Sequence, residues 1–93
     1  MNADLKVAER FDDAFISGVR PLIENLAAGY QDITVDMTST EQVDAAGLHA
    51  LIYMQRNLAP LGYKVRVVGA SDRVKHLFEI FHIADLFLEK SLH

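Results

Sequence analysis

Hydrophobic and polar positions alternate over two short segments of the chain, and this pattern predicts two strands. Residues 32–37 read Asp-Ile-Thr-Val-Asp-Met, and residues 64–68 read Lys-Val-Arg-Val-Val and are followed by Gly69. Both segments are short and rich in β-branched residues, which is typical of strands.

The segment between these strands, from Asp44 to Pro60, has helical spacing instead. Gly47 and Met54 widen its apolar side, which is formed by Leu48, Leu51, Ile52, Gln55 and Leu58. The opposite face carries His49, Tyr53, Arg56 and Asn57. Pro60 and Gly62 end the helix. Residues 32–68 therefore predict strand, helix and strand, with a crossover long enough for a parallel pair.

A second amphipathic helix is predicted after Gly69. Ser71 is a good N-cap residue, and apolar side chains recur at i, i+3, i+4 and i+7 in Val74, Leu77, Phe78 and Phe81. Residues 82–88 fit either a last short strand or a turn of helix.

The N-terminal third gives a weaker pattern. Helical spacing ends before Gly29 and is formed by Phe15, Val19, Leu22, Ile23 and Leu26. Pro21 either breaks the middle of this helix or lies in its first turn, if the helix begins near Gly18. The residues before it form a strand or, with Phe11, an earlier helical turn. Residues 1–11 are thus poorly defined by their sequence.

This order of elements predicts one small α/β domain over residues 1–93, since 93 residues suit a single core. The chain is 51% hydrophobic and has no cysteine, which excludes a disulfide scaffold, a thiol nucleophile and cysteine-ligated metals. No apolar run approaches the roughly 20 residues that span a bilayer, and the first residues do not resemble a signal peptide. We therefore expect a cytoplasmic protein without membrane insertion.

Charge is unevenly distributed along the chain. Residues 1–46 hold nine acidic and three basic residues, a net charge of −6, and residues 47–93 hold four acidic and six basic residues, a net charge of +2. The net charge of −4 argues against nucleic acid as a partner, because phosphate binding needs a concentrated basic face.

The candidate chemistry lies in residues 36–47, at the carboxyl end of the first clear strand, where sites of α/β sheets occur. Asp36 and Asp44 could be a carboxylate pair for Mg²⁺, but local capping is the more ordinary role of both. The sequence has no Gly-x-Ser-x-Gly elbow, no phosphate-binding loop and no histidine pair at metal-ligand spacing. We therefore expect neither an enzyme nor a resident metal or cofactor.

One stretch is more specific. Residues 33–37, Ile-Thr-Val-Asp-Met, a short loop, and residues 43–51, Val-Asp-Ala-Ala-Gly-Leu-His-Ala-Leu, resemble the STAS family, which includes the anti-sigma-factor antagonists. Residues 61–69 and 74–87 resemble the family's next strand, third helix and closing segment. The resemblance implies a STAS-like α/β fold with a mostly parallel, mixed sheet of about four strands and three to four helices. The N-terminal strand region is shorter than is usual in the family.

The resemblance also points to a difference in regulation. In family members that are controlled by phosphorylation, the residue after the motif's aspartate is the serine or threonine acceptor. Here that position is Ala45 and the next is Ala46, and neither has a hydroxyl. Thr38, Ser39 and Thr40 are the only nearby hydroxyls, and turn hydrogen bonding is their ordinary role.

The resemblance implies a non-catalytic module of bacterial signalling that binds an anti-sigma, kinase-like or chemosensory regulator. The partner-binding residues expected are Thr38, Ser39, Thr40, Asp44, Ala45, Ala46, Gly47, His49 and Tyr53. The exposed face that carries His49, Tyr53 and Arg56 is also a candidate homodimer contact. Two alternatives stay open: an accessory subunit of a lipid-transport ABC complex, and a small-ligand or nucleotide-binding module.

Overall fold

A computed structural model describes residues 2–88. Its main sheet has three parallel strands, β1 (Asn2–Lys6), β3 (Asp32–Asp36) and β5 (Val65–Val68), in the order β1-β3-β5. In their register, Leu5 pairs with Val35 and Val35 pairs with Val67, so the apolar positions of the alternating pattern lie side by side. All three side chains are buried. Because β1 comes first in the order β1-β3-β5, it is an edge strand of this sheet.

A second, two-stranded ladder lies beside the main sheet. β2 (Arg10–Phe11) pairs in parallel with β4 (Gln42–Val43). The α/β prediction is confirmed, and every strand pair among the described residues is parallel. The division into two ladders was not predicted, since a two-residue strand is too short to show alternation.

Four helices cover the strands: α1 (Asp13–Ala28), α2 (Ala45–Leu58), α3 (Asp72–Ile80) and α4 (Ala84–Phe87). A 3-10 turn (Ala59–Leu61) follows α2 and ends at Gly62 in the left-handed conformation. α1 and α2 pack against each other, as expected if both crossovers have the usual right-handed sense, which places the two helices on one face of the sheet.

The core is one cluster between the sheet and these helices. Its largest fully buried side chains include Phe11, Phe78 and Phe87. The rings of Phe78 and Phe87 meet edge to face, with centroids 6.2 Å apart, so that α4 is fixed against α3.

The structure decides the points that the sequence left open. Residues 2–6 form a strand rather than a helical turn, and residues 84–87 form a turn of helix rather than a strand. The prediction that Pro21 breaks α1 or opens it was wrong, because Pro21 lies inside the helix. Pro21 and Ser17, four residues earlier, are both exposed, so water can satisfy the carbonyl that proline leaves without a donor.

Two side chains assigned to apolar helix faces are largely outside the core. Leu22 of α1 is 45% exposed and Phe81 is 55% exposed. Phe81 lies just beyond the last residue of α3, where the backbone has left the helical path and the helical spacing no longer aims the side chain inward.

Candidate functional site

The start of α2 is fixed by a side-chain cap. Asp44 has extended backbone angles, and its Oδ1 accepts a hydrogen bond from the Gly47 amide at 3.1 Å. Its carbonyl oxygen accepts the first intrahelical bond, from Leu48. The capping role predicted for Asp44 is confirmed, and Ala45 becomes the first helical residue, with its side chain exposed.

We expect Asp44→Ala to lower the free energy of unfolding by about 1 kcal/mol, because the Gly47 amide loses its acceptor. Urea denaturation followed by circular dichroism measures this loss. Asp44→Asn is the matched control, since an amide oxygen can cap the same amide, and its loss should be clearly smaller. An equal loss in both variants would show that the hydrogen bond is not what stabilises the helix start.

Gly47 allows another part of the chain to approach the same helix turn. A Cβ added at Gly47 would lie against the carbonyl oxygen of Phe11 and 2.9 Å from two atoms of its ring. The same carbonyl accepts a hydrogen bond from the Asp44 amide at 3.2 Å. β2 therefore passes directly over the start of α2, and Phe11 occupies the space that a side chain at position 47 would need.

The loop between β3 and β4 begins with a tight turn around Asp36. Oδ1 of Asp36 accepts hydrogen bonds from the hydroxyl of Thr38 at 2.5 Å and from its amide at 2.9 Å. These bonds hold the pKa of Asp36 below its ordinary value. The carboxylate therefore stabilises the turn at neutral pH, and this stabilisation disappears only as the pH falls through the lowered pKa.

The third hydroxyl of the loop, that of Thr40, has a buried structural role. Thr40 is 2% exposed, and its hydroxyl donates to the carbonyl oxygen of Ala8 at 2.9 Å. The expectation that Thr40 contributes to a binding surface is therefore wrong, because its side chain faces the interior. Thr38 and Ser39 are exposed, and they are the loop hydroxyls that a partner can reach.

The outer face of α2 presents polar side chains, as predicted. His49, Tyr53, Arg56 and Asn57 are exposed, and the Asn57 amide donates to the Tyr53 carbonyl oxygen at 2.8 Å. Ala46 is half-buried on the side that faces α1. Among the predicted site residues, Ala45 and His49 line one depression and His49 and Tyr53 line another, while Thr38 and Ser39 are exposed in the loop before β4.

A groove separates the start of α2 from α3 and the turn that follows α3. Its volume is about 330 Å³, and Ala45 and His49 lie at its edge. Apolar side chains form most of it, including Leu48, Ile52, Leu77, Phe81 and Ile83. The groove was not predicted from the sequence. The only signal was the i, i+4 pair Leu77 and Phe81, which was assigned to the core.

These features define a parallel α/β domain with a capped helix start beside an apolar groove. A STAS-domain family model matches residues 4–93, so the chain belongs to the STAS family. No curated protein matches the sequence at a significant level. Within residues 2–88, no helix is long and apolar enough to cross a membrane.

Two solved structures share the fold. The anti-sigma factor antagonist SpoIIAA in its unphosphorylated form matches with a TM-score of 0.77 and 11% identity, over 99% of this chain and 82% of that chain. A sulfate transporter family protein from Wolinella succinogenes matches with a TM-score of 0.69 and 17% identity, over 94% of this chain and 75% of that chain. At these identities the likeness establishes the fold alone.

Proposed function

We propose that this chain is a non-catalytic, antagonist-like interaction module of bacterial signalling. It binds a regulator through the helix-start surface, which we define as Thr38, Ser39, Asp44, Ala45, His49 and Tyr53. The regulator is an anti-sigma, kinase-like or chemosensory protein. Binding is not switched by phosphorylation at the family's usual position.

The observation that carries this proposal is the environment of Ala45. Its methyl group is exposed at the first position of α2 and lies at the edge of an apolar groove. Alanine has no oxygen to accept a phosphoryl group, so no charge can be added here to close the groove to an apolar partner. The same position in phosphorylated members of the family carries the acceptor, as their motif implies.

The surroundings of Ala45 suit protein binding better than catalysis. The carboxylates of Asp36 and Asp44 are engaged by Thr38 and Gly47, which are local structural partners. His49 and Tyr53 are exposed on the adjoining helix face, and tyrosine is enriched in interfaces. The surface thus combines a hydrogen-bonded helix start with accessible apolar and aromatic groups.

Affinity capture with the full chain tests the proposal. The wild-type chain should retain a signalling regulator from a lysate of the source organism, and His49→Ala combined with Tyr53→Ala should remove most of it, because both exposed side chains leave the surface. Tyr30→Ala is the matched control, since Tyr30 is 74% exposed outside this surface, and it should retain the regulator. Retention that is equal in all three proteins would contradict the proposed surface.

Intact mass after incubation with the captured regulator and ATP tests the absence of a switch. No phosphate is expected on residues 38–46. Phosphate on Thr38 or Ser39 would overturn the claim that binding is unswitched while leaving the binding surface intact.

A second candidate is an accessory subunit of a lipid-transport ABC complex, and a protein of the same fold, that from Wolinella succinogenes, is described as a sulfate transporter family protein. The same capture experiment separates the two functions. Recovery of a transporter subunit from solubilised membranes, in place of a soluble regulator, would support the second candidate.

A further inference from the structure

Three depressions adjoin one another along one side of α2. The central one is the apolar groove beside Ala45. A depression of about 250 Å³ continues it past the amino end of α2 and shares Val43 and Leu77 with it. A third, of about 540 Å³, continues it toward the carboxyl end of α2 and shares His49 and Ile52 with it. Each neighbouring pair shares lining residues, and we call the surface that the three form the α2–α3 channel. Residues of α3 and of the turn after it line the groove and the amino-end depression, and α2 alone lines the carboxyl-end depression.

The middle of this channel is apolar and partly open to solvent. Phe81 is 55% exposed, and Ile52 and Leu77 are half-buried at the channel walls. Exposed apolar side chains that adjoin one another in a groove provide surface that a partner can bury. Bulky apolar groups are therefore the part of a partner that fits the middle of the channel.

The two ends of the channel differ in charge. Glu41 and Arg73 line the amino-end depression, and Asp44 lines the adjoining groove, so that end carries two acids and one base. The carboxyl-end depression is lined by one arginine, Arg56, and by no acidic residue, so that end is positively charged. A complementary partner therefore carries positive charge at one end and negative charge at the other.

The length of the channel sets the size of this partner. Asp44 and Arg56 are twelve positions apart on α2, and twelve residues of helix rise about 18 Å. A partner helix of about three turns spans the same distance. A helix also satisfies its own backbone hydrogen bonds, so it can be buried against apolar walls without leaving unpaired amides.

We infer that the α2–α3 channel binds an amphipathic helix of the partner protein, about three turns long. Its apolar stripe lies against Leu77 and Phe81, a cationic end faces Glu41 and Asp44, and an acidic end faces Arg56. This inference rests on the proposed function and names the chemistry of the partner at the same surface. It places the methyl group of Ala45 within the interface.

Titration of the full, ¹⁵N-labelled chain with synthetic helices tests this inference. The probe is a peptide of about 14 residues with leucines at i, i+4, i+7 and i+11, lysines at one end and glutamates at the other. The control peptide has the same composition with the leucines dispersed around the helix. The first peptide should shift amide signals along α2 and α3 at concentrations below about 1 mM, and the control should not.

Variants of the chain make the test specific. Phe81→Ser should weaken binding about tenfold, because the exposed ring loses its apolar partner. Leu22→Ser is the matched control, an exposed apolar residue on α1, and should leave the affinity unchanged. Arg56→Glu should weaken binding roughly threefold by repelling the acidic end of the peptide.

Each contrary result has a separate meaning. Equal binding of both peptides, no shift along α2 and α3, or no effect of Phe81→Ser would overturn the helix-binding inference. Dimerisation of the chain through the channel, detected by light scattering and lost in Phe81→Ser, would also overturn it and identify a second copy as the occupant. Capture of the regulator that depends on His49 and Tyr53 but not on Phe81 would leave the proposed function standing without this inference.

Discussion

Gly47→Ala is expected to lower the free energy of unfolding by about 2–3 kcal/mol. The added Cβ would collide with the carbonyl oxygen of Phe11 and approach two of its ring atoms to 2.9 Å. Alanine favours helix over glycine by about 1 kcal/mol, so the collision must outweigh this gain. The collision outweighs the gain because the added Cβ meets backbone and buried ring atoms of Phe11, which are held in place.

Neither part of Phe11 can move at low cost. Its side chain is fully buried and meets the ring of Phe15 edge to face, with centroids 5.8 Å apart. Its carbonyl oxygen is held by the Asp44 amide. A shift of Phe11 therefore disturbs the core and the pairing of β2 with β4 together.

Gly18→Ala is the matched control for Gly47→Ala. Gly18 lies in the middle of α1 and is exposed to solvent, and a Cβ there would have no atom within 4 Å. Alanine at that position should stabilise the protein by about 0.5–1 kcal/mol, because it restricts the unfolded chain without a clash. Urea denaturation of both variants decides the matter. A gain of stability in Gly47→Ala comparable to that in Gly18→Ala would show that β2 is not packed against the helix start.

Local chemistry made the start of α2 predictable from the sequence. Asp44 lies immediately before a helical apolar pattern, and the cap it forms depends on residues within three positions of it. Ser71 was predicted as the cap of α3 for the same reason, and its Oγ accepts a hydrogen bond from the Val74 amide at 3.2 Å. Short-range hydrogen bonds of this kind leave their signature in adjacent residues.

Contacts between distant segments explain what the sequence did not predict. Thr40 is buried because its hydroxyl meets the Ala8 carbonyl oxygen, 32 positions away in the chain. The partner of Gly47 is Phe11, which comes from a strand too short to show alternation. The contact partners of Thr40 and Gly47 depend on which distant segments the fold brings together. The spacing of residues within one segment does not show which segments these are.

The apolar groove illustrates the same limit. Leu77 and Phe81 continue the periodicity of α3, and a periodic pattern does not show where a helix ends or which part of its apolar stripe another element covers. α3 ends at Ile80, so Phe81 leaves the core side. The sequence located one wall of the site, at residues 44–49, and the fold supplied the other.

Ala45→Arg is expected to lower the affinity for the partner more than tenfold while changing the free energy of unfolding by at most about 0.5 kcal/mol. Ala45 is exposed at the first position of α2, so the longer side chain meets no core atom. A cation there interacts slightly unfavourably with the positive end of the helix dipole, which sets the small cost in stability. The fold should therefore remain intact.

The arginine side chain weakens binding in two ways, by filling space and by adding a positive charge. The arginine side chain occupies the mouth of the groove where the methyl group of Ala45 now lies, and it repels the cationic end of a partner that faces Glu41 and Asp44. Ala45→Ser removes both causes, because its unphosphorylated hydroxyl is small and neutral, and in the absence of ATP it should bind as the wild type does. Ala28→Arg introduces the same side chain at an exposed position at the end of α1 and controls for the change in net charge.

The affinity for the synthetic amphipathic helix and the yield of captured regulator should fall together in Ala45→Arg and in neither control. If the regulator alone is lost, the partner covers Ala45 with something other than a helix in the α2–α3 channel, because the peptide would still find the groove open. If Ala45→Arg retains both, the partner does not cover the first turn of α2. The missing hydroxyl at Ala45 would then have no bearing on how this chain is regulated, since a phosphate at that position would not have reached the interface either.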